Sequence, residues 1–383
     1  MPKRMGRGYA AWPTARHTPA GRVAYPGWPR GRLGAMKATI LNAPRDIRVE
    51  DVPDPTIVKP TDAVVRVTAA CVCGSDLWPY RGINDVTEPT RIGHEFVGIV
   101  EEVGAEVRGL RQGDFVVAPF MYSDNTCPHC RVGIQSRCSS GGFWGSTDRD
   151  GAMVDGGQGE YVRVPLADGT LVSTREVPDD SLVPSLLSLS DVMGTGWHAA
   201  VASGVQEGDT VVVVGDGAVG LSGVLAAARM GAERIIAMSR HEARQRIARE
   251  FGATDIVEVR GDDAVNAVKE LTDGVGADAV LECVGTNESM STAIAAARPG
   301  ATVGYVGVPH GIEYPVRDLF VRNVGIAGGI APARQYLPQL RDDVLSGAIN
   351  PGLVFDLEVP LAEVAEGYAA MDERRAVKSL VRP

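Results

Sequence analysis

The chain has 383 residues, 44% hydrophobic and 22% charged, an ordinary balance for a globular protein with room for two domains and large cores. A formal net charge of −10 argues against nucleic acid as a partner. No run of about 18 apolar residues appears, so no membrane span is expected.

The first 35 residues carry Lys3, Arg4, Arg7, Arg16, Arg22, Arg30 and Arg32, no acidic residue, and many Pro and Gly. Such a composition cannot bury a core, so residues 1–35 read as a disordered basic extension. They lack the apolar stretch of a secretory signal. An Arg-rich transit peptide is one alternative. A variable tail or an over-extended start is preferred, with Met36-Lys37-Ala38-Thr39-Ile40 as the natural beginning.

Residues 36–190 read as the first part of a β domain. Runs at 63–67, 96–100 and 114–118 alternate with Gly, Pro and Asp turns, which suggests a barrel of short strands. Two segments here carry metal chemistry: Cys73-Gly74-Ser75-Asp76 and Gly93-His94-Glu95. A catalytic zinc site takes three protein ligands and leaves a fourth position open. Cys73 and His94 supply two, and Asp191 is a plausible third. Each has a plainer reading alone. Cys73 is then a small buried hydrophobe, His94 a satisfied core histidine, and Asp191 the cap of a helix starting near Val192. Three of the six cysteines fall within Cys127 to Cys138. In a long chain without a secretory signal this favours metal binding over disulfides, and a reducing cytoplasm.

From about residue 192 the pattern changes. The continuous apolar run 210–214 is expected for a strand buried on both faces. The stretch 221–230 is Ala-rich and helical, and 234–238, 279–283 and 302–306 continue the strands. This alternation predicts an α/β, doubly wound parallel sheet over 191–331, with 332–383 returning to the first domain.

Gly215-Asp216-Gly217-Ala218-Val219-Gly220 fits the dinucleotide fingerprint in the context it requires, after a strand and opening a helix. At the end of the next strand, an acidic residue would accept hydrogen bonds from the ribose of NAD. Ser239-Arg240-His241 stands there instead, and Arg240 offers a guanidinium to a 2′-phosphate. NADP(H) is therefore favoured over NAD(H). The alternative makes Arg240 a solvated charge at a helix start. Metal and dinucleotide together point to zinc-assisted hydride transfer.

Taken in order, Cys73–Asp76, Gly93–Glu95, the cysteine-rich segment, Asp191 and the Gly-rich turn make residues 36–383 resemble a particular family. It is that of the zinc-dependent alcohol dehydrogenases of the medium-chain dehydrogenase/reductase type, near the bacterial secondary-alcohol and formaldehyde dehydrogenase branches. The resemblance implies a GroES-like β-barrel catalytic domain beside a Rossmann domain, with the active site in the cleft between. It makes Cys73, His94 and Asp191 the catalytic zinc ligands and Glu95 a conditional one. Asp76 becomes the carboxylate that orients His94, and Ser75 the hydroxyl that hydrogen-bonds the substrate oxygen. Lys378 would reach the cofactor pyrophosphate. Trp78 stands where many relatives have a proton-relaying His, and indole does not titrate.

The family's structural zinc lobe uses four Cys at the spacing of Asp124, Cys127, Cys130 and Cys138, so Asp124 replaces the first. A site of one carboxylate and three thiolates is chemically reasonable. A metal-free lobe, a redox pair of Cys127 and Cys130, and His129 as a ligand are the alternatives. Trp78, Tyr80, Phe143 and Trp144 hint at a bulky apolar substrate pocket, with simple core packing as the other reading.

The expected function is a zinc-dependent oxidoreductase moving hydride between NADP(H) and an alcohol, aldehyde or ketone. An NAD-dependent polyol or formaldehyde dehydrogenase is one alternative. A zinc-free quinone or enoyl reductase would leave Cys73 and His94 without a task, and a non-enzymatic crystallin-type NADPH binder would not need them. A homodimer or homotetramer is expected, as in relatives.

Overall fold

The computed structural model describes residues 34–309, 311–313 and 316–383. The extension read at 1–35 lies outside them but for Gly34 and Ala35. Strand Ala35–Ala43 pairs antiparallel with Asp46–Pro53 and, on its other side, with Thr90–Arg91. The larger mixed sheet has seven strands. Six run in the order Val172–Ser173, Phe115–Ala118, Phe96–Val103, Ala63–Cys71, Ser379–Arg382, Leu357–Pro360, and Tyr161–Val164 also pairs with Ala63–Cys71. The chain's last strand therefore sits against one of its first, Leu380 opposite Cys71. Phe96–Val103 runs past the apolar stretch 96–100 because Glu101 and Glu102 face solvent.

The second sheet has six parallel strands: Asp255–Val257, Arg234–Met238, Thr210–Val214, Ala277–Glu282, Ala297–Tyr305 and Gly325–Gly328. The strand order reverses between Thr210–Val214 and Ala277–Glu282, where doubly wound sheets bind ligands. Thr210–Val214 is apolar throughout because both faces are covered. Val211 and Val213 enter a core shared with Leu221 and with Cys71 and Val97 of the other sheet. Val212 and Val214 enter a second core with Ile236, Val280 and Val303.

Two aromatics read as pocket candidates are core instead. Tyr80 is buried against Tyr368, ring centroids 5.5 Å apart. Trp144 is buried on Phe96 and Tyr122 and donates its indole N–H to the Pro119 carbonyl at 3.0 Å, so its polar edge is satisfied inside. Trp78 is half-buried and Phe143 exposed.

Candidate metal centre and cofactor turn

Three segments deliver the first cluster. Cys73 follows strand Ala63–Cys71. His94 follows Gly93, whose φ of 102° suits glycine, and precedes strand Phe96–Val103. Asp191 precedes helix Val192–Ser203 and is tied to the mixed sheet by its neighbour: the Phe120 N–H donates to the Ser190 carbonyl at 2.8 Å, and Ser190 Oγ to the Phe96 carbonyl at 3.2 Å.

One ligand atom from each of Cys73, His94, Glu95 and Asp191 lies within 4.8 Å of the others. Asp191 Oδ2 is 3.5 Å from His94 Nε2 and 3.6 Å from Cys73 Sγ. Asp191 stands at the N-cap position, yet its carboxylate makes no cap hydrogen bond. Oδ1 accepts from Thr195 Oγ1 at 2.6 Å, which leaves Oδ2 turned to the cluster. The plain capping reading thus loses its chemistry here.

Asp76 holds the other side of His94. Its Oδ1 is 3.2 Å from His94 Nδ1, and its Oδ2 accepts the Cys73 N–H at 2.9 Å. That pairing leaves Nε2 as the free imidazole nitrogen facing the cluster. Burial disfavours a charged His94, but the Asp76 carboxylate, a Cys73 thiolate and the hydrogen bonds to Asp191 and Asp76 outweigh it and push the pKa up. Burial, then Glu95, pushes the Cys73 thiol up as well. Four acidic groups, Cys73, Asp76, Glu95 and Asp191, crowded round one imidazole call for a cation. Glu95 is fully buried, and its Oε2 has no partner. A thiolate, an imidazole and a carboxylate with a second carboxylate behind them suit zinc with one position open.

Lys378 departs from expectation. Its Nζ is buried, 2.7 Å from Glu95 Oε1 and 3.2 Å from the Val72 carbonyl it donates to. The ammonium is engaged by that carboxylate rather than offered to a pyrophosphate. Gln158 was not anticipated. Its amide donates to the Cys71 carbonyl at 2.9 Å and its Oε1 accepts from the Tyr368 hydroxyl at 3.0 Å, bracing the chain behind Cys73. No local pattern marks it.

The second cluster joins Asp124, Cys127, Cys130 and Cys138. Cys127 Sγ lies 3.6 Å from Cys130 Sγ and 4.0 Å from Cys138 Sγ, and all six cysteines are free thiols. Burial would raise Asp124, but the N–H groups of Thr126 and Cys127 bring its carboxyl down to about 2. Hydrogen bonds from Ser139 lower the Cys127 thiol to about 6. Both groups are thus prepared as anionic ligands at neutral pH. His129 is exposed and outside the cluster.

In the Gly-rich turn each glycine has its own cause. Gly215 has φ 118°. A Cβ on Gly220 would come 2.0 Å from the Gly215 carbonyl oxygen, so only glycine lets the helix Ala218–Arg229 start there. A Cβ on Gly217 would meet nothing within 4 Å. That open space in front of a helix N-terminus, with Ala218 and Val219 forming its first turn, is where a pyrophosphate could lie. Gly217→Val is therefore expected to leave the melting temperature unchanged and to weaken cofactor binding about tenfold or more, read by NADPH fluorescence titration.

At the end of strand Arg234–Met238 a carboxylate does stand close by, supplied by Asp216 of the Gly-rich turn. Ser239 is buried and donates to Asp216 Oδ2 at 2.8 Å. Asp216 also pairs with Arg244 at 3.0 Å. Arg240 and His241 are exposed, His241 at the N-cap of helix Glu242–Glu250. Asp216 was visible inside the fingerprint and Arg244 one helical turn after Arg240. Only the fold brings the two together.

A family model described as "Zinc-binding dehydrogenase" matches residues 218–346, and one described as "Alcohol dehydrogenase GroES-like domain" matches 59–176. An uncharacterized zinc-type alcohol dehydrogenase-like protein of Bacillus subtilis is 34% identical, over 91% of this chain and 100% of its own length. The chain belongs to the zinc-type alcohol dehydrogenases of the medium-chain dehydrogenase/reductase family. The solved alcohol dehydrogenase of Thermus sp. ATN1 superposes with a TM-score of 0.83 at 32% identity, over 91% of this chain and 99% of that one. A putative zinc-binding dehydrogenase from Sinorhizobium meliloti 1021, solved bound to NADP, gives 0.77 at 28% identity over 91% and 100%. Membership makes the chain an oxidoreductase that uses zinc and a nicotinamide cofactor on small-molecule alcohols, with a GroES-like domain beside a Rossmann-like parallel sheet. None of its described helices is long and apolar enough to cross a membrane.

Proposed function

We propose that this dehydrogenase transfers hydride between NADP(H) and an alcohol or carbonyl substrate at a zinc held by Cys73, His94 and Asp191, with Asp124, Cys127, Cys130 and Cys138 holding a second zinc. The observation that carries the reading is the convergence of Cys73 Sγ, His94 Nε2 and Asp191 Oδ2, with the partnerless Glu95 Oε2 beside them. Zinc bound there would supply Lewis-acid polarisation of the substrate oxygen.

The remaining work falls to the chain. Asp76 fixes the His94 tautomer. Thr195 fixes Asp191. Ser75 is half-buried two residues from Cys73, and among the described residues its hydroxyl has no protein partner, so it is available to bind the substrate oxygen and pass on its proton. Trp78 does not titrate, so the proton leaves by water or the ribose hydroxyls. Half-buried, it forms a wall of the substrate site.

NADP(H) is supported by the exposed Arg240 and by Arg244 neutralising Asp216. The NADP-bound Sinorhizobium relative agrees with it. The Asp216 carboxylate favours a second reading, in which it accepts a ribose hydroxyl and NAD(H) is preferred. Steady-state rates on a panel of alcohols with each cofactor decide between them. The expected result is a kcat/KM for NADP⁺ at least roughly tenfold above that for NAD⁺. Arg240→Gln should erase the difference and Ser239→Asp should reverse it. A wild-type preference for NAD⁺ would overturn the NADP(H) assignment. Absence of turnover with either cofactor in zinc-loaded protein would overturn the function. A cytoplasmic setting accords with the free thiols.

A further inference from the structure

A cavity of about 500 Å³ shares no lining residue with either metal cluster or with the Gly-rich turn; it lies among segments 108–114 and 168–175 and the helix Ala333–Leu345, on the side where Gly169 packs against Asp124. Five arginines line it, Arg108, Arg111, Arg175, Arg334 and Arg341, against the two carboxylates of Asp114 and Asp168. Both carboxylates are already engaged. Asp168 accepts the N–H groups of Arg108 and Gly109 at 2.8 Å each. Asp114 accepts the N–H of Arg111 at 3.1 Å and its Nε at 3.2 Å.

Two guanidinium groups are fixed by backbone carbonyls. Arg334 Nε donates to Gly169 O at 2.8 Å, and Arg341 Nη1 to Ser173 O at 2.8 Å. The carboxylate paired with Arg341 is that of Asp342, 67% exposed and so largely screened by water. Among the described residues, Arg108, Arg175 and Arg334 have no carboxylate within ion-pair reach. Burial and the neighbouring Arg341 push the Arg334 pKa down, and the Cys130 side works against them.

We propose that this cavity is a second ligand site, one that binds a small multivalent anion carrying phosphate groups. Planar guanidinium forks match phosphate oxygens two at a time; Arg334 is oriented for this before any ligand arrives, and the exposed Arg108 and Arg175 are within the same lining to close on it. The volume is that of a small-molecule site. A net charge of −10 makes the chain a poor general anion binder, so the local excess of arginine is a specific feature.

The test is calorimetric titration of fructose 1,6-bisphosphate into zinc-loaded protein saturated with NADPH, so that the cofactor's own phosphate sites are filled. Inorganic phosphate and fructose serve as comparisons, at fixed ionic strength. One bisphosphate should bind per chain, phosphate should bind more weakly, and fructose should not bind. Arg334→Gln and Arg175→Gln should each weaken binding about tenfold or more, whereas Arg66→Gln on the mixed sheet should leave it unchanged. Arg334→Gln also removes the bond to Gly169, so the exposed Arg175 carries the test if that variant folds poorly. Absence of saturable heat in the wild type, or equal affinity in all the variants, would overturn the proposal.

Discussion

Cys73→Ala is expected to lower kcat/KM by at least about 10³-fold, because Lewis-acid stabilisation of the developing oxygen charge is worth several kcal/mol and each 1.4 kcal/mol is about tenfold in rate. The same variant should lose one of two zinc ions per chain on elemental analysis. Cys73 is the thiolate of a set whose other members, His94 and Asp191, are held from behind by Asp76 and Thr195. Removing it leaves an imidazole and carboxylates, too few soft donors to retain zinc against water. Cys130→Ala is the contrasting variant. It should also lose one zinc, and its turnover should fall far less, since Cys130 belongs to the other cluster. A Cys73→Ala protein that kept both zinc ions and its turnover would refute the ligand assignment.

The parts of this site that sequence reading reached are those whose chemistry is local. Gly215, Gly217 and Gly220 are readable because a tight turn, a close approach and a helix start each forbid a Cβ or leave space for a ligand within six residues of chain. Cys73 and His94 are readable because a thiol and an imidazole in short Gly-flanked segments have few other uses together. What escaped depends on residues far apart in sequence. The neutralisation of Asp216 by Arg244 spans a strand and a helix. Gln158 reaches Cys71 and Tyr368 across 87 and 210 residues. The aromatics failed for a related reason. Tyr80 and Trp144 carry no mark that distinguishes a core ring from a pocket ring, and only the rings of Tyr368, Phe96 and Tyr122 against them settle it. The strands of the parallel sheet are legible because burial on both faces makes them apolar throughout. The strands of the mixed sheet are harder to bound, since residues such as Glu101 and Glu102 continue a strand while facing water.

Lys378→Met is expected to destabilise the protein by about 3–5 kcal/mol, the cost of leaving one member of a buried ion pair without its partner. Lys378 and Glu95 have side chains 1% and 0% exposed, with Nζ and Oε1 2.7 Å apart. Burial pushes the Glu95 carboxyl up, and the Lys378 ammonium works against it. With Met in its place, the buried Glu95 loses its ammonium partner while still facing the acidic Asp191, and must either stay charged without it or take up a proton; both are costly at neutral pH. The pair also links the two strands that flank Ala63–Cys71, since Lys378 precedes Ser379–Arg382 and Glu95 precedes Phe96–Val103. Chemical denaturation of zinc-loaded protein should show a large fall in midpoint for Lys378→Met. Glu95→Gln with Lys378→Met should recover part of it, because the uncompensated charge is then gone. If Lys378 instead serves the cofactor, Lys378→Met should denature at the wild-type midpoint and show its loss in NADPH affinity alone. The two roles predict opposite pairs of results, so one denaturation curve and one binding isotherm separate them.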